Sequence, residues 1–262
     1  MKKIRNLNQL KMLFFFLGSI IIFFILFPLI KIVMTTNPKI LWETLNDHVV
    51  NQSILLTMYA GLISTLLAFI FGIPLAYCLA RYDFKGKEII EGIIDLPVVI
   101  PHTAAGIALL MAFHRNSIVG KIFASLGIEF IGNLSGIIIA MSFVSLPFLI
   151  NAAKEGFQAV DVKLEKAART LGANGFYAFS TVSLPLAKRS IISGMMMMWA
   201  RGISEFGAVL IIAYHPMVAP VLLFERFQSY GLSYAQPVGV ILIFISLLIF
   251  IILRILLGKR NI

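Results

Sequence analysis

The chain has 262 residues, 22 Lys and Arg against 12 Asp and Glu, and a formal net charge of +10; 60% of its residues are apolar and 13% are charged. Soluble domains average about 45–50% apolar and about 25% charged residues, so this composition excludes a water-soluble globular protein, and the 22 Phe exclude a disordered one. A single cysteine, Cys78, excludes a disulfide framework and a Cys-based zinc site.

A bilayer-crossing helix needs about 20 mostly apolar residues. Six stretches qualify, which predicts an all-α polytopic membrane bundle forming one domain over residues 1–262. Helices are expected because backbone N–H and C=O groups in lipid must be paired within their own segment. The first span covers about 12–32 and is too long for a signal-peptide core. The second covers about 53–80, with Pro74 expected to kink it near its inner end.

The third span, about 89–113, is interrupted by Asp95, Pro97, Pro101 and His102. Two prolines four residues apart must break helical bonding there. A broken helix at membrane depth is tolerated where it lines a cavity or is buried in protein. The N–H groups near His102, Thr103 and Ala104 are then free to face an anion; a kink needed only for packing is the alternative. The fourth span covers about 131–153.

The segment 154–189 follows, and it is the longest loop on its side. Asp161 is an expected N-cap, and Leu164, Ala167, Ala168 and Leu171 share one helical face. Gly172 stands at a left-handed helix stop, and Asn174 can cap a second short helix that Leu184-Pro185 would end. The result is a helix–Gly–helix hairpin with a small-residue face; an amphipathic hairpin lying on lipid headgroups is the alternative.

The fifth span, about 190–214, carries Arg201 and Glu205, and the sixth covers about 237–257. Arg201 lies about 16 Å into its span at 1.5 Å per residue, close to mid-bilayer. Ionisable groups at that depth face a cavity or a partner. One reading is a translocation-path contact in which the guanidinium briefly holds an oxyanion and Glu205, one turn on, weakens that hold. The other is a self-neutralising pair that locks bundle packing. His102, His114 and His215 show no metal-ligand spacing, so no metal site is expected.

Placing both termini on the inner side puts 16 of the 22 Lys and Arg residues there, which orients both termini to the cytoplasm. The basic charge is thus an orientation signal rather than a nucleic-acid footprint. Gly86-Lys87, Gly120-Lys121 and Gly258-Lys259 are not followed by Ser or Thr, so the chain has no phosphate-binding loop and no ATPase site of its own.

Ala167-Ala168, Gly172 and the later Val182-Ser183-Leu184-Pro185 resemble the coupling loop of prokaryotic ABC importer permeases. The acidic residue that family places directly before the alanines is Lys166 here, with Glu165 one position earlier. The resemblance implies a coupling helix, with Glu165, Lys166, Ala167, Ala168, Arg169, Gly172, Leu184 and Pro185 meeting the ATPase. The stretches Asp95–Leu110, Ala200–Gly207 and Ala213–Pro220 are similar to molybdate/tungstate permease subunits, and the first two more weakly to their sulfate/thiosulfate relatives. That likeness implies a homodimer in the lipid bilayer, two ATP-binding cassette subunits carrying ATP and Mg2+, and an extracytoplasmic solute-binding protein. The candidate path residues, read from the charged and helix-breaking positions within the spans, are Asp95, Pro97, Pro101, His102, Thr103, Arg201 and Glu205. A sulfate permease is the rival within the class, and a stand-alone secondary transporter or channel the rival outside it.

Overall fold

The computed structural model describes residues 2–258, with side chains described over 10–252 and at Ile255. The terminal bases Lys2, Lys3, Arg5, Arg254, Lys259 and Arg260, which entered the orientation count, lie outside the described side chains. The described residues form an all-α polytopic membrane bundle. In chain order its helices are α1 (Lys2–Thr35), α2 (Pro38–Leu45), α3 (His48–Arg81), α4 (Lys87–Val99), α5 (His102–Phe113), α6 (Ile118–Ser125) and α7 (Leu134–Gln158). Then come α8 (Val162–Thr170), α9 (Gly175–Ala178), a π-helical turn over Phe179–Ser183, α10 (Leu184–Ile203), α11 (Gly207–Ile212), α12 (Ala219–Tyr230) and α13 (Leu232–Gly258).

Among the described residues four helices are long and apolar enough to cross a bilayer: Leu10–Thr35, His48–Arg81, Leu134–Gln158 and Leu232–Ile252. Asp47 starts the second by accepting from the N–H groups of Val49 and Val50, and α3 continues as helix through Pro74. The predicted third span is the pair α4 and α5, bent by 113°. Pro101 sets the break, because a proline pushes the preceding residue out of helical geometry; Ile100 sits at φ −72°, ψ 146°.

The fifth span differs from the expected continuous run over 190–214. Helix α10 ends at Ile203, Ser204–Phe206 leave the helix, and α11 restarts at Gly207. The Glu205 carboxylate accepts from the Ala208 N–H at 2.9 Å, satisfying a donor the new helix start would otherwise leave unpaired. With 20 residues, α10 is long enough to reach across, although Lys188 and Arg189 occupy its early turns.

The connection between the fourth and fifth spans is shorter than 154–189, since α7 runs on to Gln158 and α10 begins at Leu184. Leu184 and Pro185 do not end the second short helix; they form the first turn of α10. The chain is helical from Gly175 through the π turn to Ile203. Pro185 is tolerated because the π turn directly before it, in which the Leu184 N–H donates to the Phe179 carbonyl five residues back, widens the helix where the proline ring would otherwise crowd the preceding turn.

Helices α3, α7 and α10 form the centre. A Cβ on Gly194 of α10 would lie 2.8 Å from the Ala152 Cβ and 3.3 Å from the Leu149 backbone, so these helices touch along their main chains. Close approach of this kind, rather than apolar burial, drives helix association in lipid. One apolar cluster near the α8 end includes Leu79, Leu149, Phe157 and Met198. A second joins α5, α7 and α11 through Leu109, Ile137, Met141 and Val209, and a third ties α3 to α12 and α13 through Val50, Leu222 and Val238.

Candidate functional site

The first site is the α8 hairpin. Asp161 caps α8 by accepting from the Lys163 N–H at 2.9 Å, and Asn174 caps α9 by accepting from the Tyr177 N–H at 2.8 Å. Between them Gly172 adopts φ +94°, a conformation that a side chain would strain. The apolar stripe points away from the bundle: Leu164 is 48% and Leu171 89% exposed, and Ala167 beside them is exposed. Lys163, Lys166 and Arg169 are exposed on the same helix. This is an uncovered surface combining two small residues, two leucines and three cations.

Glu165 points the other way and is buried. Its Oε1 accepts from Arg81 Nε at 2.7 Å and from the Ser183 hydroxyl at 2.7 Å, and its Oε2 accepts from the Tyr77 hydroxyl at 3.0 Å. Arg81 Nη2 approaches the same carboxylate at 2.6 Å and also donates to the Val160 carbonyl at 3.0 Å. Burial alone would raise the Glu165 pKa. The hydrogen bonds from Ser183, Arg81 and Tyr77, with the Arg81 charge, outweigh it and hold the carboxyl below its ordinary range.

The second site sits where the broken third and fifth spans meet. Residues from α5 and from the α10–α11 break converge there: His102, Arg201 and Glu205. Arg201 Nη2 donates to Glu205 Oε2 at 3.0 Å and lies 2.8 and 2.9 Å from the two His102 ring nitrogens. An imidazole protonated at Nδ1 donates to Glu205 Oε2 at 2.8 Å and accepts from Arg201 at Nε2. Glu205 is fully buried, whereas the Arg201 side chain keeps 25% and the His102 side chain 35% exposure. Arg201 Nη1 reaches only the Ser204 hydroxyl, at 3.3 Å, and its Nε has no protein partner among the described residues. A half-shielded guanidinium with donors to spare is left at the edge of the cluster.

The glycines hold this meeting point. A Cβ on Gly207 would lie 2.9 Å from the His102 Cβ, and one on Gly106 would lie 3.0 Å from the Ala208 Cα and 2.8 Å from the Ile211 Cβ. Pro101 and Thr103 flank His102 at this meeting point, where a Cβ on Gly207 would also lie 3.3 Å from the Thr103 N, whereas Asp95 and Pro97 lie on α4. Asp95 on α4 is exposed and accepts from the Asn151 side-chain amide of α7 at 2.6 Å, while Pro97 is buried and Thr103 exposed. Tyr77, Arg81, Ser183 and Asn151 were not anticipated from the sequence. Arg81 and Glu165 are 84 residues apart, and no local periodicity links them.

The profile of the family described as "binding-protein-dependent transport system inner membrane component" matches residues 68–259. The molybdate/tungstate transport system permease protein of Thermococcus kodakarensis is 45% identical over 95% of this chain and 96% of its own length. Its counterpart from Pyrococcus abyssi is 46% identical over the same shares. Among solved structures, a chain of a bacterial ABC transporter that imports alginate superposes with a TM-score of 0.76 at 15% identity, covering all of both chains. The shared helical architecture, the near-complete alignment with these permeases and the profile match lead to one assignment: the chain belongs to the binding-protein-dependent transport system inner membrane component family, as a multi-pass transport subunit without an ATPase site of its own.

Proposed function

We propose that the chain is the permease subunit of an ABC importer for molybdate and tungstate, working as a homodimer of single transmembrane domains with both termini in the cytoplasm. One observation carries the substrate: the 45% identity with a molybdate/tungstate permease extends over nearly the full length of both chains. Two ATP-binding subunits meet the face formed by exposed Ala167, half-buried Ala168 and, just beyond α8, exposed Gly172, with Lys166, Arg169 and the neighbouring turns, and ATP and Mg2+ belong to those subunits. A solute-binding protein delivers the anion on the opposite side. When the ATP-binding pair closes it draws the two α8 helices together, and the bundle opens toward the binding protein.

In this scheme Arg201 is the path contact. Glu205 neutralises its charge and, with His102, fixes its direction, so the spare Nε and Nη1 donors offer a divalent oxyanion a short-lived contact rather than a trap. Arg201→Lys keeps the charge but loses the planar fork. Impaired uptake in that variant with assembly intact supports a path contact. Normal uptake in Arg201→Lys, together with lost assembly in Arg201→Gln, would leave Arg201 a packing residue.

The deciding experiment reconstitutes the chain in liposomes with its ATP-binding and solute-binding partners. Molybdate or tungstate should stimulate ATP hydrolysis and enter the vesicles, and excess sulfate should not compete. Equal uptake of sulfate would overturn the substrate, and uptake without the ATP-binding subunit would overturn the importer.

A further inference from the structure

We propose that Glu165 is a positioning residue that locks the α8 hairpin to the inner end of α3, making the loop a rigid lever instead of a hinge. This rests on the docking of an ATP-binding subunit against α8 proposed above, and it gives the acidic residue before the two alanines a role inside the chain.

The geometry separates two faces of one short helix. Lys163, Lys166 and Ala167 are exposed, whereas Glu165 is buried against the bundle. Glu165 cannot reach a docked partner without leaving Arg81, whose side chain is only 6% exposed. The carboxylate gathers donors from α3 (Tyr77 and Arg81) and from the π turn (Ser183), and Arg81 reaches on to the Val160 carbonyl just beyond α7. Four chain segments thus share one buried polar knot. Apolar walls exclude water from it: the Tyr77 ring packs edge-on against Phe157 at 5.3 Å and against Phe179 at 4.9 Å.

A buried ion pair of this kind adds little net stability over an apolar replacement, because both charges must be desolvated. What it adds is direction, since each donor restricts where the carboxylate can sit. Without the knot, α8 would be tied to the bundle mainly through its flanking turns at Asp161 and Gly172. A push on its outer face would then be absorbed by those turns. With the knot in place, the push reaches α3 through Arg81 and the π turn through Ser183.

The test uses the full chain assembled with its ATP-binding and solute-binding partners in liposomes. It reads two quantities: co-purification of the ATP-binding subunit, and ATP hydrolysed per anion imported. Glu165→Gln keeps the shape and removes the charge. It should leave co-purification unchanged while raising ATP consumed per anion by about two- to thirtyfold, the range for residues that carry coupling between sites. Arg81→Gln should act in the same direction, and the double variant should be no worse than the poorer single one. A wild-type ratio in Glu165→Gln would overturn the proposal. So would loss of co-purification in proportion to loss of transport, which would make Glu165 a docking contact. If Glu165→Gln does not accumulate in the membrane, Ser183→Ala and Tyr77→Phe each remove one donor and should raise the ratio by smaller steps; unchanged ratios in both would overturn the proposal. Failure of the wild-type chain to bind any ATP-binding subunit would instead overturn the importer function itself.

Discussion

Glu205→Gln tests whether the meeting of the broken spans is held by charge. Glu205 is fully buried and both its oxygens are used, Oε1 by the Ala208 N–H at 2.9 Å and Oε2 by Arg201 at 3.0 Å and His102 at 2.8 Å. The substitution keeps the volume and one carbonyl for Ala208, but it leaves Arg201 without a counter-charge and aims an amide at a donor. Breaking a buried pair costs about 3–5 kcal/mol. The guanidinium side chain retains 25% exposure, so solvent recovers part of that, and about 2–4 kcal/mol is expected. Arg201→Gln strands a carboxylate with no exposure and should cost more than Glu205→Gln. The double variant removes both charges and should fall short of the sum of the singles by about 2–3 kcal/mol. Trp199 is a local reporter, since its indole N–H donates to the Met58 carbonyl at 3.4 Å in the same layer. With Trp42 replaced by Phe, its fluorescence follows unfolding in detergent directly. Additive single effects, or a Glu205→Gln cost below about 1 kcal/mol, would refute the account of a charge-held joint.

Further expectations follow from individual positions. Gly106→Ala should lower the thermal midpoint through an overpacking cost of about 1–3 kcal/mol, because the new methyl meets the Ala208 backbone at 3.0 Å; Gly92→Ala, with open space around it, should not, and equal shifts would count against the close approach. Gly172→Ala places a side chain at φ +94° for about 1–2 kcal/mol and should loosen the hairpin, seen as faster proteolysis of the loop with membrane insertion unchanged. The Glu165 carboxyl is held below its unfolded value, so its contribution is complete above about pH 4.3 and is lost as pH falls through the lower folded value. Protection of the α8 amides from hydrogen exchange, taken relative to their intrinsic rates at each pH, should therefore fall as pH drops through the folded value in the wild type and not in Glu165→Gln. Asp47 is also lowered, with burial opposed by Arg226 and the Val49 and Val50 N–H groups. Asp47→Asn should weaken the tie between α3 and α12, measured as faster exchange in α12.

Local signals translated well into local structure. Asp161, Gly172 and Asn174 occupy the cap, stop and cap that their side chains suggested, because capping depends on a few neighbouring N–H groups. Pro101 broke the third span for the same reason: its ring acts on the adjacent residue. The fifth span was legible only in part. Its hydropathy runs on past Ile203, and the break depends on Glu205 turning back to the Ala208 N–H, which an apolarity count does not register. Leu184-Pro185 misled because a proline both ends helices and begins them, and the π turn before it decides between the two. The meeting of His102 with Arg201 and Glu205 and the knot around Glu165 are tertiary facts. Side chains 99 and 84 residues apart leave no periodic trace of their pairing.

The unbroken helical run from Gly175 to Ile203 has a consequence for the chain's tolerance of length changes. At 1.5 Å per residue it is a rod of about 40 Å joining the hairpin to the Arg201 layer. Each residue along a rod also advances the phase by about 100°, so deleting one residue anywhere between Ser183 and Arg201 would swing the guanidinium that far around the axis. The wider π turn at Phe179–Ser183 carries its own increment of phase, and the facing of Arg201 toward His102 is tuned to it. Substitutions along this run have many neutral solutions, whereas a single insertion or deletion would turn the charge out of its layer while leaving every helix formed.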